Sequence, residues 1–166
     1  MNIQVEENSI LVNAGKSKFN LQSLPVKDYP LMKKNEDNAL EINLSQNQLK
    51  GLLKQVDFSM AQQDIRYYLN GLLFEIDVNK VNIVGTDGHR LSFTSSALKE
   101  NKDKFQTIIP RKTVLELVKL LEENDDNVSI ALSSNQVVFT FNNIELISKV
   151  IDGKFPDYNL SLIHIS

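Results

Sequence analysis

The chain has 166 residues, which is room for one domain of ordinary size or for one domain and part of another. It contains no cysteine, which excludes disulfide scaffolds, thiolate metal sites and cysteine nucleophiles. Apolar residues form 42% of the chain, charged residues form 23%, and the net charge is −3, as in ordinary globular proteins. The sequence has neither a bilayer-spanning apolar run nor a basic secretory start, so we expect a cytoplasmic protein without a membrane partner.

Strands dominate the predicted elements, because apolar and polar residues alternate through most of the chain. Three half-buried strands are expected first, around residues 3–5, 10–12 and 19–21. Two segments have helical periodicity instead: one runs from an N-cap at Ser45 to about Val56, and the other from about Arg111 to Glu123. The remaining strands are predicted at residues 39–44, 69–76, 80–86, 90–96, 105–109, 128–132, 136–141 and 144–150.

The order of these elements contains two repeats. From Ala39 onward, strand, helix and three strands occur twice, which predicts a duplicated β-α-β-β-β unit. The opening strands match the strands at 128–150, and Tyr29-Pro30 corresponds to Phe155-Pro156. The sequence therefore predicts the end of one domain followed by a second, similar domain, and we expect the chain to be a fragment.

Four motifs, in order, carry a resemblance to a known family. They are Phe58–Gly71 (FSMAQQDIRYYLNG), Thr86–Leu91 (TDGHRL), Ile109–Lys112 (IPRK) and Val150–Tyr158 (VIDGKFPDY). Together they resemble the bacterial β sliding clamps, the processivity subunits of DNA polymerase III. The resemblance implies an α+β fold, the DNA clamp fold, in which the duplicated unit forms antiparallel sheets with two helices on one face.

The resemblance also implies a domain organisation. Residues 1–32 resemble the end of the first clamp domain, which is incomplete here, and residues 39–158 resemble the central domain. Residues 33–38 form a polar linker between them. The tail, residues 159–166, departs from the family pattern, so no site role is assigned to it.

Basic residues lie opposite the apolar stripe of each predicted helix. Lys50 and Lys54 share such a face on the first helix, while Lys112 and Lys119 share one on the second, with Glu116 between them. Lysines in this position are typical of a solvated face, but two such helices side by side could also follow a phosphate backbone. The resemblance favours DNA, because clamp helices line the pore, and Arg111 at the start of the second helix is included in this surface.

A second candidate DNA contact lies in the loop after the first helix. An amide, a guanidinium and two phenols can bind phosphates and stack on bases, although one tyrosine could instead open the next strand as core. The resemblance assigns DNA contacts to Gln63, Tyr67 and Tyr68, and Arg66 is a neighbouring candidate.

The turn Thr86–Leu91 has two possible interpretations from its residues alone. Asp87 and His89 with a serine could suggest a small hydrolase, but no Gly-x-Ser-x-Gly elbow accompanies them. A structured turn is favoured, in which Asp87 accepts hydrogen bonds from backbone amides and Gly88 adopts a positive φ. A metal site is not predicted, since His164 in the tail is the other histidine of the chain.

The resemblance gives this turn a different role, as one wall of a groove for short peptide motifs; the third clamp domain supplies the other wall. The groove residues implied are Leu69, Thr86, Gly88, His89, Arg90, Leu91 and Pro156.

The function implied is that of a DNA sliding clamp without a catalytic site, metal or cofactor. Its partners would be double-stranded DNA, the catalytic subunit of polymerase III, the clamp loader and other proteins with clamp-binding motifs, with a homodimeric ring at full length. A DNA- or protein-binding module that never forms a ring remains an alternative, and a hydrolase using Asp87 and His89 is a weaker one.

Overall fold

The computed structural model describes residues 1–34 and 39–159 and divides them into two compact units, Met1–Lys33 and the chain from Lys34 onward. The predicted linker falls partly outside the described residues, at 35–38. The predicted tail does so from residue 160, and His164 lies there as well.

The first unit is a three-stranded antiparallel sheet of β1 (Asn2–Val5), β2 (Ser9–Ala14) and β3 (Ser17–Gln22). A 3₁₀ turn, Val26–Asp28, follows it. Cross-strand pairing aligns the apolar residues in two rows, and the alternation places both rows on one face. These rows are Ile3, Val12 and Phe19, and Val5, Ile10 and Leu21.

The three strands are confirmed, but the half-burial expected of them is found only in β2, while β1 and β3 are exposed throughout. Val5 is 77% exposed and Phe19 is 53% exposed, and no residue of the three strands is buried within the described part of the chain. Three short strands without a helix offer nothing to cover an apolar face, so this sheet has no core of its own.

The second unit contains the duplicated β-α-β-β-β arrangement, as predicted. Its first copy is β4 (Leu40–Ser45), α1 (Gln46–Val56), β5 (Gly71–Asp77), β6 (Lys80–Thr86) and β7 (Leu91–Ala97). Its second copy is β8 (Phe105–Pro110), α2 (Arg111–Leu120), β9 (Asn127–Leu132), β10 (Gln136–Phe141) and β11 (Ile144–Lys149). Two further 3₁₀ turns, Asp57–Ser59 and Tyr67–Leu69, lie between α1 and β5.

The two copies exchange their first strands. One sheet has the order β11-β10-β9-β4 and the other has the order β7-β6-β5-β8, so β4 completes the sheet of the second copy and β8 that of the first. All pairings are antiparallel, with Leu44 opposite Val128 and Leu73 opposite Ile108. Both helices and both sheets share one hydrophobic core, which the exchange holds together.

The two helices differ in how well their ends match the prediction. The Ser45 hydroxyl accepts a hydrogen bond from the Gln48 amide at 3.2 Å, so the predicted N-cap of α1 is confirmed. The second helix ends at Leu120 rather than at Glu123, because Leu121 turns to an extended conformation with ψ 134°. Leu121 remains buried, since the turn carries its side chain into the same core.

The sheet β7-β6-β5-β8 has a second small cluster of apolar residues on the face away from the main core. Leu73, Val84 and Ile108 point to this face, whereas their neighbours Leu72, Ile83 and Ile109 belong to the main core. Phe155 and Tyr158 cover the small cluster. We call the segment Ile151–Tyr158, which carries these two aromatic residues, the strap.

Candidate functional site

The residues predicted to form a peptide groove line one cleft of about 380 Å³. They come from three separate stretches of the chain: the end of the loop before β5, the turn between β6 and β7, and the strap. All seven predicted residues are present: Leu69, Thr86, Gly88, His89, Arg90, Leu91 and Pro156. The structure therefore brings this set together, and its binding role stays a prediction.

The turn between β6 and β7 is held by its own side chains, as the structured-turn interpretation predicts. The Asp87 carboxylate accepts hydrogen bonds from the amides of His89 at 2.9 Å and Arg90 at 3.0 Å. Gly88 has φ 86°, and its amide donates to the Thr86 hydroxyl. These backbone hydrogen bonds, together with the Arg90 guanidinium, lower the pKa of Asp87. Because this carboxylate is bound to backbone amides and to Arg90, the geometry gives no support to an Asp87–His89 catalytic pair.

The loop before β5 is fixed by Asp64. Its carboxylate accepts hydrogen bonds from the Arg66 amide at 2.8 Å and from the Arg66 guanidinium at 3.0 and 2.8 Å. The side-chain hydrogen bond from Arg66 is the main reason why the pKa of Asp64 falls to about 2. The Asn70 side chain closes the loop from the other side, accepting from the Asp64 amide and donating to the Asp64 carbonyl, both at 2.9 Å. Arg66 is thus held in one orientation.

The residues of this loop that were predicted to contact DNA lie on two different surfaces. Arg66 and Tyr68 line the cleft, where Arg66 also donates to the Asp87 carbonyl at 3.2 Å. Tyr67 is 58% exposed and meets Tyr68 edge-on with ring centroids 5.9 Å apart. Gln63 is exposed and has φ 56°. Gln63 and Tyr67 are therefore free to contact a ligand outside the cleft, while Tyr68 packs on the small cluster.

The basic residues of α2 form a surface with the same loop. Gln63, Arg111, Lys112 and Lys119 border a shallow depression of about 630 Å³ whose apolar floor includes Leu115. Lys112 is exposed, and no ion-pair partner is found for it among residues 1–34 and 39–159. Lys119 is paired with Glu116 at 3.0 Å, the acid expected to weaken this face.

The two lysines of α1 have different environments, which the helical spacing does not predict. Lys54 is exposed. Lys50 is only 18% exposed at its side chain, because its amine donates to the Leu121 carbonyl at 2.9 Å and lies 3.8 Å from Glu123. The amine of Lys50 therefore joins α1 to the end of α2, whereas the helical spacing predicts a fully solvated lysine there.

Sequence reasoning missed two of the aromatic residues that form the cleft. Phe155 and Tyr158 are 8% and 6% exposed, and both line it beside Pro156. Both belong to the motif Val150–Tyr158, which the sequence singled out, but a spacing of three residues in a non-helical segment does not indicate that they share one surface. Of the residues that the structure describes, no group of three or more His, Cys, Asp or Glu could hold a metal ion. No helix in the described ranges is long and apolar enough to cross a membrane.

Comparison with known proteins matches most of the chain. Residues 43–157 match the family model described as DNA polymerase III beta subunit, central domain. The beta sliding clamp of Pseudomonas putida is 45% identical over 159 residues, which is 95% of this chain and 43% of that protein. The beta sliding clamp of Escherichia coli K12 is 38% identical over 156 residues, which is 94% of this chain and 42% of that protein.

A solved structure agrees with these relatives in fold. The crystal structure of the DNA polymerase III subunit beta from Pseudomonas aeruginosa has a TM-score of 0.88 and 42% sequence identity. The match covers 95% of this chain and 44% of that one. The chain therefore spans less than half the length of each of these proteins.

Proposed function

This chain belongs to the DNA polymerase III beta subunit family, the bacterial sliding clamps, and we propose that it acts as part of a clamp that tethers the replicative polymerase to DNA. In this proposal, a complete homodimeric ring encircles duplex DNA in the cytoplasm. The ring has no catalytic site or cofactor, because bond formation belongs to the polymerase subunit that it holds. The clamp loader and other proteins that carry a clamp-binding motif are the remaining proposed partners.

The observation that carries the proposal is the cleft between the β6–β7 turn, the loop before β5 and the strap. Its apolar residues Leu69, Leu91 and Pro156 suit the burial of a leucine or aromatic side chain from a peptide. The polar rim around them offers hydrogen bonds that can fix the register of an extended segment. An apolar cleft with such a rim supports recognition of a short linear motif.

The proposed DNA surface is separate from this cleft. It consists of the exposed side chains of Gln63 and Tyr67 together with the basic residues Lys54, Arg111 and Lys112. Lysine and arginine contacts to phosphates do not depend on base sequence, which suits a protein that must move along DNA. Lys50, Arg66, Tyr68 and Lys119 remain candidates, although each already contacts another part of the protein.

Chemical-shift mapping by NMR tests the peptide site. A short peptide with Gln followed by Leu and an aromatic residue should first shift the signals of Leu69, Leu91 and Pro156. A matched peptide with alanine in place of the Leu and aromatic residues should leave them unchanged. The affinity expected for one wall of the groove is about millimolar, or about −4 kcal/mol. Shifts at Lys54 and Tyr67 without any at Leu91 and Pro156 would contradict the groove assignment.

The ring is tested on the full-length gene product. Native mass spectrometry should give twice the mass of one chain, and a topologically closed ring should stay on circular DNA but slide off once that DNA is cut. A protein that stays monomeric and leaves circular DNA as quickly as linear DNA would favour a binding module that forms no ring.

A further inference from the structure

Tyr158 fixes the far end of the strap to the sheet. The Tyr158 hydroxyl donates a hydrogen bond to the Glu75 carboxylate on β5. Asn82, which lies directly opposite Glu75 on β6, donates to the same carboxylate oxygen at 2.9 Å. Glu75 thus joins two strands of the sheet to the strap.

The ring of Tyr158 is held as firmly as its hydroxyl. It stacks on Phe93 of β7 with ring centroids 5.8 Å apart and planes 28° apart, and it packs on the small cluster. Burial and the neighbouring Glu75 raise the pKa of Tyr158, so the phenol remains a protonated donor at any physiological pH. The hydrogen bond is therefore made by a neutral phenol to an acceptor that is already oriented by Asn82.

The strap has few other attachments in the part of the chain that the structure describes. At its start the Ile151 amide donates to the Ile108 carbonyl at 2.9 Å, as an isolated bridge. Gly153 packs against Tyr68, where a Cβ would lie 3.1 Å from the Tyr68 Cβ. Beyond these contacts no ladder of backbone hydrogen bonds continues along the strap. The position of Phe155 and Pro156 then depends on the packing of Phe155 in the small cluster and on the anchors at either end.

We propose that Glu75 is a positioning residue for the peptide cleft: it holds Tyr158, and through it the wall formed by Phe155 and Pro156. This inference rests on the proposed function of the cleft. Glu75 itself does not line the cleft. Its effect on binding would therefore come through the strap and not through contact with a peptide.

Peptide titrations of three variants test this role. Glu75→Ala removes the acceptor, Tyr158→Phe removes the donor while keeping the ring, and Glu75→Gln keeps an acceptor oxygen. We expect Glu75→Ala and Tyr158→Phe each to weaken peptide binding about tenfold, because both remove the hydrogen bond between strap and sheet. Glu75→Gln keeps an acceptor for that bond, so its peptide affinity should stay within about twofold of the native value.

Asp77→Ala is the matched control, because Asp77 is also a carboxylate of β5 and forms an ion pair with Lys104 at 2.9 Å. It should leave the affinity unchanged. NMR of the Phe155 ring gives a second, independent readout: because this ring is buried in the small cluster, its signals should move toward solvent-exposed values in Glu75→Ala but not in Asp77→Ala.

The outcomes separate this inference from the proposed function. If the native chain binds the peptide and Glu75→Ala binds it equally well, the positioning role is wrong and the cleft assignment stands. If the native chain binds no peptide but the Phe155 ring signals still move in Glu75→Ala, the proposed function fails and Glu75 remains the anchor of the strap. Unchanged Phe155 ring signals in Glu75→Ala would overturn the inference directly.

Discussion

Arg66 lies across Gly88 so closely that a Cβ on residue 88 would stand 2.9 Å from the nearer guanidinium nitrogen. Gly88 also has φ 86°, a conformation that disfavours every residue with a side chain. The β6–β7 turn and the Arg66 side chain at the cleft rim can therefore lie this close together only because residue 88 has no Cβ.

Gly88→Ala should lower the free energy of unfolding by about 1–2 kcal/mol, because the alanine is strained at this φ. It should also displace Arg66 and weaken peptide binding. Urea denaturation and peptide titration measure the two effects. Gly51→Ala is the control. Gly51 lies in α1, and an alanine Cβ there would have no neighbouring atom within 4 Å, so this substitution should stabilise the protein. Equal stability of the two variants would contradict the strain argument.

Leu91→Asp should abolish peptide binding. Leu91 is half-buried in the cleft wall, and an aspartate there would place an unpaired charge where a peptide side chain has to be buried. His89→Ala should weaken binding less, because His89 is exposed at the rim. NMR titration with the same peptide measures both, and a larger loss in His89→Ala than in Leu91→Asp would show that the apolar wall is not the binding surface.

Lysine substitutions should reduce the salt dependence of DNA binding. Changing Lys50, Lys54, Lys112 and Lys119 to alanine should lower the slope of log K against log salt by about 0.9 for each phosphate that the protein no longer neutralises. We expect Lys54 and Lys112 to contribute most, since the amines of Lys50 and Lys119 already have protein partners. Fluorescence anisotropy with a DNA duplex at several salt concentrations measures the slope. Lys80→Ala, at an exposed lysine of the β5–β6 hairpin, is the control, and an unchanged slope in the fourfold variant would mean that the lysines are only solvated.

Asp64 should titrate near pH 2 in the folded protein, because Arg66 stabilises the charged carboxylate. A lowered pKa means that the ion pair stabilises the loop at all pH values above the ordinary pKa of 3.8 and that this contribution is lost as the pH falls through about 2. Carbon-detected NMR of the carboxyl group follows the titration. In Arg66→Ala the same carboxyl should move back toward its ordinary pKa, and a native Asp64 that titrates near 4 would exclude the ion pair.

Deleting residues 1–32 should give a protein that associates less. The apolar face of the first sheet is uncovered within its own unit, with Ile3 at 52% and Leu21 at 53% exposure, and its edge strands have free backbone groups. Light scattering at matched concentrations compares the two forms. Replacing Phe19 and Leu21 by serine in the full chain should have the same effect. Greater aggregation of the shortened form would contradict the expectation that the exposed apolar face of the first sheet drives association.

Hydrophobic periodicity was enough to predict the helices and strands of the fold, since alternation and a 3.6-residue period differ clearly in segments of four to eleven residues. It was not enough to predict where α2 ends. A leucine at position 121 satisfies the helical stripe equally well in a helix or in a turn, and no glycine follows to mark a stop. The hydrogen bond from the Glu122 amide to the Gln46 side chain, on the other helix, stabilises the turn and has no local signal.

Other features of the site could not be predicted because they depend on contacts between residues far apart in the chain. The amine of Lys50 is held by the carbonyl of Leu121, which lies 71 residues away in the chain. Tyr158 and Glu75 are separated by 83 residues, so nothing local predicts that they meet. By contrast, the hydrogen bonds of the Asp87 carboxylate are local, to residues 89 and 90, and the structured turn could therefore be predicted from its residue types.

The exchange of β4 and β8 between the two sheets has a consequence for how the chain folds during synthesis. β4 emerges from the ribosome early but has to wait for its partner β9, because Ser45 pairs with Asn127. Until then, α1 and the sheet β7-β6-β5 lack one side of their common core. Closing such a long segment costs entropy that is recovered only when the last strands dock. We therefore expect the second unit to fold as one cooperative body, in which the first β-α-β-β-β copy is not stable without the second.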